Sequence, residues 1–147
     1  MERYPVETCS SDADRVRSNK IRHTVFILEQ HIPENVVYDE KDDSCHHYLV
    51  YVDEQPAGTA RLATDGTKGQ LGRMAVLKEY RRQGVGRDLV RHIITHARSI
   101  NLSKIFLHAQ ASARTFYLAM GFVEEGRPFI EAGIVHQGMI MDLRDRK

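Results

Sequence analysis

Tryptophan is absent from this chain and cysteine occurs only twice, at Cys9 and Cys45. Two cysteines are too few for a disulfide scaffold, and neither belongs to a C-x-x-C pair, which excludes zinc-ribbon and thioredoxin chemistry and points to a reducing cytoplasm. No stretch approaches the roughly 18 consecutive apolar residues of a membrane span, and no apolar segment of the kind that directs secretion follows Met1 to Pro5. An excess of one charge is missing too. The 21 Lys and Arg nearly balance the 20 Asp and Glu, so no global field recruits nucleic acid or an anionic membrane. Any anion must therefore be held locally. Internal repeats and low-complexity tracts are also lacking. What is present is ordinary for a globular protein: 41% apolar and 28% charged residues in 147 positions predict one domain over residues 1–147.

The periodicities predict a mixed α/β order. Ser11 and Asp14 suggest a weak capping box for a helix over 12–29, with Ala13, Val16, Ile21, Val25 and Leu28 at helical spacing. Residues 30–45, with Pro33, Asn35 and an acidic run, read as a loop with at most a short helical turn. HHYLVYV at 46–52 and GTARLAT at 58–64 predict a hairpin, and Leu71 to Leu77 a further extended segment. The clearest amphipathic helix begins at Val85, with Leu89, Ile93, Ala97 and Ile100 on its apolar face. A strand at 105–109 follows, then a helix over 112–120 stopped by Gly121 in the left-handed position, then strands near 122–127 and 134–142.

The most informative segment is GRMAVLKEYRRQGVGR, ending at Arg87: a strand, a basic turn with two glycines, then that helix. Gly84 and Gly86 at a helix start leave room for an anion to approach the backbone, and the unpaired first-turn amides from Gln83 through Val85 to Arg87 point at it along the helix dipole. Arg81, Arg82 and Arg87 add charge-assisted donors, which suits a di- or triphosphate. No Lys-Ser or Lys-Thr follows Gly86, so this is not a Walker A loop, and Leu89 stands where a dinucleotide fingerprint needs its third glycine.

The R-x-x-G-x-G turn of Arg81, Gly84 and Gly86 after the strand RMAV resembles the acetyl-CoA pyrophosphate loop of the GCN5-related N-acetyltransferases (GNAT). ARTFYLAMGF, from Ala113 to Phe122, is similar to that family's A-x-x-[FL]-Y-x-x-x-G-F signature. VFILEQ at 25–30, HAQ at 108–110 and GIVHQGM at 133–139 extend the likeness toward a small bacterial subgroup of the family. The resemblance implies a GNAT fold: a central mixed sheet of six to seven strands with one splayed pair, flanked by about four helices. It also implies acetyl-CoA as co-substrate, with pantetheine pairing to the backbone of Met74, Ala75 and Val76 like an added strand. Gln110 stands where many members have Asn, so a contact to the pantetheine or pyrophosphate arm would differ. Family members are often homodimers; nothing in this sequence fixes an interface.

Amide formation needs a neutral amine, donors for the developing oxyanion and a proton for the departing thiolate. The resemblance assigns the oxyanion to a backbone N–H near Ala75 or Val76 and the proton to Tyr117, a residue that would otherwise read as core. It puts Glu29, His108 and His136 around the acceptor, each a candidate base though each reads first as structural; a water chain is a further route. The acidic run Glu34, Asp39, Glu40, Asp42 and Asp43 reads as solvated surface first and as a cationic-acceptor site second. It lacks an EF-hand's glycine and ligand alternation, and His92 and His96 lack the glutamate of a zincin, so no metal is expected. Neither cysteine lies in a motif, which leaves a cysteine acyl-enzyme without support. The expectation is an N-acetyltransferase moving an acetyl group to a primary amine of a small molecule or peptide by direct attack in a ternary complex. The competing reading is a non-catalytic acyl-CoA-binding module on the same fold, in which Tyr117 would be dispensable.

Overall fold

The computed structural model describes residues 3–144. Its elements run β1 (Val6–Thr8), α1 (Asp12–Arg22) continued by a π-helical stretch (His23–Glu29), α2 (Glu34–Val37), β2 (His46–Val52), β3 (Gln55–Asp65), β4 (Lys68–Val76), α3 (Val85–Ser99), β5 (Lys104–Gln110), α4 (Arg114–Ala119), β6 (Val123–Glu124), β7 (Phe129–Glu131) and β8 (Ile134–Asp142). The eight strands form one sheet in the order β1-β2-β3-β4-β5-β8-β6, with β7 also on β8. All pairs are antiparallel except β4 with β5. The sheet has more strands than the six or seven expected because β1 and β7, at three residues each, are too short to show an alternation.

Alternating side chains bury both faces of the sheet. Tyr48 and Val50 pack under α3 with Leu89, Val90 and Ile93, whereas Leu49 turns to the other face with Ile21, Val25 and Phe26. No helix among the described residues is long and apolar enough to cross a membrane.

Two sequence expectations need correction here. The predicted helix over 12–29 starts where expected, with Ser11 Oγ accepting from the Asp14 amide, but Ala13 and Val16 are exposed and burial begins at Ser18. The wider π turns, with the Gln30 amide donating to the Val25 carbonyl, then set Val25 and Phe26 inward together and leave Leu28 outside. The acidic run, expected to be solvated, is split. Asp42 is buried and accepts from Arg22 and Arg61, whereas Asp39 stays partly exposed but is engaged by Arg61 and Arg73.

The feature that positions a site is the end of the β4–β5 pairing. Register runs from Lys68 opposite Lys104 to Leu71 opposite Leu107 and stops. Residues 72–76 and 108–110 continue as separate arms. A bulge starts the divergence: Thr59 faces Ala75 and Arg61 faces Gly72, which leaves Arg73 and Met74 against Ala60 alone, with Arg73 at φ +50°. β8 accompanies β5 to its last residue, so it is β4 that leaves.

Candidate active site

One side of the split is built by the turn before α3. Gly84 caps the helix at φ +90°, a conformation a side chain resists, and no side chain caps the helix. The amides of Gly84, Val85, Gly86 and Arg87 donate to nothing among the described residues. An uncapped helix start with open amides is an anion cradle. The turn is braced from behind: buried Asp88 accepts from the amides of Arg3 and Tyr4, both at 2.9 Å, and the Tyr4 hydroxyl donates to the Gln83 carbonyl. Arg82, Gln83 and Arg87 are exposed around it. Arg87 curls its guanidinium over Gly84, close enough that a Cβ there would lie 2.8 Å from Nη2. The turn opens on a cleft of about 1030 Å³ between α3, α4 and the end of β4.

Arg81, expected beside the anion, and Glu29, expected as a base, bind each other. Both guanidinium Nη atoms reach the carboxylate at 2.7 Å while Nε donates to the Val76 carbonyl. The Arg81 hydrogen bonds hold the Glu29 carboxyl below its ordinary range, so in this arrangement it is a weak base. The pair ties the π-helical stretch to the end of β4.

Tyr117 lies between the arms. Its placement follows from how α4 stops: the Phe122 amide donates to the Tyr117 carbonyl and the Gly121 amide to Leu118, with Gly121 at φ +104°. This is a Schellman closure, and its accompanying apolar contact is the Tyr117 ring against Phe122, centroids 5.8 Å apart. The phenol is buried, which raises its pKa, and its hydroxyl donates to the Met74 sulfur at 3.1 Å. A thioether is a weak acceptor, so the hydroxyl is available to a better one. On β4 itself, Ala75 and Val76 pair with β3, and the groups of residues 72–76 that face β5 have lost their strand partner.

The second cavity, about 450 Å³, opens on the other face of the sheet. His108, His136 and Gln110 line it together. His108 Nδ1 meets a Glu131 carboxylate oxygen at 3.0 Å, and His136 Nδ1 meets the Ile134 carbonyl at 2.8 Å. An oxygen acceptor beside each Nδ1 makes that nitrogen the donor, so in the neutral ring the lone pair lies on Nε2. Phe129 lies edge-on to His108 and stacks on His136. Gln110 donates to Gln30, which fixes the tip of β5 to the π-helical stretch rather than leaving it unengaged. Met74, Ala113 and Tyr117 line both cavities, so the two meet at the phenol. Glu131 and Arg73 also line this cavity and were not singled out in the sequence; Glu131 arrives on the short hairpin of β7 and β8, whose turn at Ala132 and Gly133 was its only local signal.

A family model described as an acetyltransferase (GNAT) domain matches residues 10–143. The protein YyaT of Bacillus subtilis is 35% identical over 141 residues, covering 94% of this chain and 95% of its own. A Lactobacillus plantarum structure described as a candidate N-acetyltransferase superposes with a TM-score of 0.89 at 27% identity, covering 97% of this chain and 99% of that one. A Bacillus subtilis acetyltransferase crystallised in complex with CoA has the same fold, with a TM-score of 0.72 at 16% identity over 95% and 99% of the two chains.

Proposed function

This chain belongs to the GNAT acetyltransferase family and is an acyltransferase, and from that premise we propose that it transfers an acetyl group from acetyl-CoA to a primary amine of a small molecule or peptide. The observation that carries the reading is that two cavities on opposite faces of the sheet share Tyr117, Met74 and Ala113 where β4 and β5 part. A thioester presented from one side can meet an amine presented from the other there, with no covalent enzyme intermediate. The two free cysteines fit a reducing, cytoplasmic setting.

The residues present suit CoA. The open amides of Gly84, Val85, Gly86 and Arg87, with Arg82 and Arg87 beside them, suit a pyrophosphate. The edge of Met74, Ala75 and Val76, without a strand partner on the β5 side and with the Val76 carbonyl held by Arg81 Nε, suits the amides of a pantetheine arm lying where β5 would have paired. When bound, the coenzyme supplies an activated acetyl carbon.

Each chemical demand then has a residue. A neutral amine attacks, the C–N bond forms, and a main-chain amide on the β5-facing edge near Ala75 or Val76 donates to the oxygen on which charge develops. His108 Nε2 takes the proton the amine nitrogen must lose, while Glu131 holds the imidazole from behind. As the C–S bond breaks, Tyr117 gives its proton to the sulfur and recovers one from water. In water, a phenol of pKa about 10 is too weak an acid for a thiolate whose conjugate acid lies near 8.5. Burial disfavours both anions, so the buried site must stabilise the transfer geometrically, and Tyr117 already donates to a sulfur 3.1 Å away. His136 and Gln110 shape the acceptor wall.

The test is thiol release from acetyl-CoA over a panel of amino sugars, polyamines, amino acids and peptide N-termini, with mass detection of the acetylated amine. The parent protein is expected to turn over at least one class; tight CoA binding with no amine acetylated at all would contradict the reading.

A further inference from the structure

We propose that the acceptor carries a carboxylate as well as its amine, and that Arg73 receives that carboxylate on the wall of the second cavity. The inference rests on the transferase reading of that cavity and names its substrate class.

Beneath the cavity, Arg22, Arg61 and Arg73 converge on only two carboxylates. Asp42 accepts from Arg22 and Arg61, and Asp39 accepts from Arg61 through two bonds and from Arg73. Three guanidinium groups share two carboxylates by hydrogen bonding, and the third carboxylate that Arg73 feels, Glu131, is bonded to His108 instead, so one guanidinium lacks a full hydrogen-bonded partner, and buried charges are costly unless paired. The surplus is most accessible at Arg73. The Arg22 side chain is fully buried and Arg61 is 8% exposed, whereas Arg73 is 26% exposed and lines the cavity. Nε and Nη2 of Arg73 are fixed on the Val37 and Val36 carbonyls and on Asp39, which aims the group. Nη1 bonds to nothing among the described residues.

Position agrees with charge. Arg73 sits two residues past Leu71, the last paired residue of β4, and His108 immediately follows Leu107, the last paired residue of β5. The two therefore stand on opposite arms at the mouth of the split and line the same cavity. A small molecule with its amine at His108 and Glu131 has its other end within the reach of the guanidinium. The backbone at Arg73 holds a left-handed φ of +50°, a strain that a non-glycine residue carries only where the surroundings impose it. Polyamines and aminoglycosides would add positive charge to a wall already in surplus; an amino acid or a related amino carboxylate would neutralise it.

The experiment compares amino carboxylates of increasing chain length with their amides, with rates referred to the concentration of neutral amine because removing the carboxylate also lowers the pKa of the amine. In the parent, kcat/KM for the acid should exceed that for the amide by roughly tenfold or more at the best length, the scale of one charge-assisted hydrogen bond. Arg73→Gln should bring the ratio to about one, and Arg73→Lys should leave it in between. Because Arg73 also holds α2, foldedness is checked by circular dichroism. A measurement on the parent alone stands beside it: a carboxylic acid without the amine should compete with the acceptor, and its amide should not. A parent that prefers the amides or polyamines, or an Arg73→Gln protein that folds and keeps the ratio, would overturn the proposal. If no amine is acetylated, the transferase reading fails separately. Calorimetric titration of the amine-free acid into CoA-saturated protein then decides this one: saturable binding lost in Arg73→Gln upholds it, and no binding overturns it.

Discussion

The two cavities that meet at Tyr117 are made of different material. The larger joins two main-chain features, a helix start with open amides and a strand edge without a strand partner, to side chains such as Arg82, Arg87, Phe116 and Met120. The smaller is side chains from elements far apart in sequence, among them Gln30, Asp39, Arg73, His108, Glu131 and His136. On the proposed reading, the main-chain features take what is common to every reaction of this kind, a diphosphate and an extended amide-bearing arm. A side-chain site can be rebuilt residue by residue without disturbing the fold. On that reading the first cavity would set the chemistry and the second the choice of acceptor.

That contrast can be broken by substitutions on either side. The largest effect is expected where the cavities join. Tyr117→Phe should lower kcat by roughly 10²- to 10⁴-fold, the range of a lost general acid, while calorimetry finds CoA affinity within about twofold of the parent; equal losses in both would reduce Tyr117 to packing. On the main-chain side, Gly84→Val forces a branched residue to φ +90°. CoA affinity should weaken roughly 10- to 100-fold, with acceptor preference unchanged. On the side-chain side, His108→Gln should cut kcat/KM roughly tenfold at neutral pH with CoA affinity intact, and the rate should return as pH rises and the amine deprotonates unaided.

The smallest effect is read in stability. Asp39, hydrogen-bonded by Arg61, is depressed to about 2 from an ordinary 3.8. A depressed carboxyl stabilises the fold above its unfolded value, and that contribution is lost as pH falls from about 4 toward 2. Asp39→Asn should lower Tm at neutral pH by a few degrees, roughly, and flatten the acid side of the Tm-against-pH curve.

The same contrast explains what was legible in the sequence. Gly84 and Gly86 ahead of an amphipathic run announced the open helix start, and Gly121 before Phe122 announced the closure that seats Tyr117, because each is a local requirement on a few consecutive residues. The split between β4 and β5 came from resemblance, since nothing in LGRMAV itself says where a pairing ends. Sequence alone gives Arg81 and Glu29 separate tasks, whereas the fold pairs them across 52 residues. Asp39 and Asp42 read as a solvated run because their arginines come from α1, β3 and β4. Glu131 and Arg73 were invisible for the same reason.

The central claim is that coenzyme and acceptor reach Tyr117 from opposite faces of the sheet through the split. A crystal structure with a bisubstrate compound, an amine joined to the CoA sulfur through an acetyl bridge, tests it most directly. The account predicts the pantetheine between residues 72–76 and 108–110, the sulfur within about 3.5 Å of the Tyr117 hydroxyl, and the amine portion beside His108. A compound lying wholly on one face, with the arms of β4 and β5 closed behind it, would contradict the account.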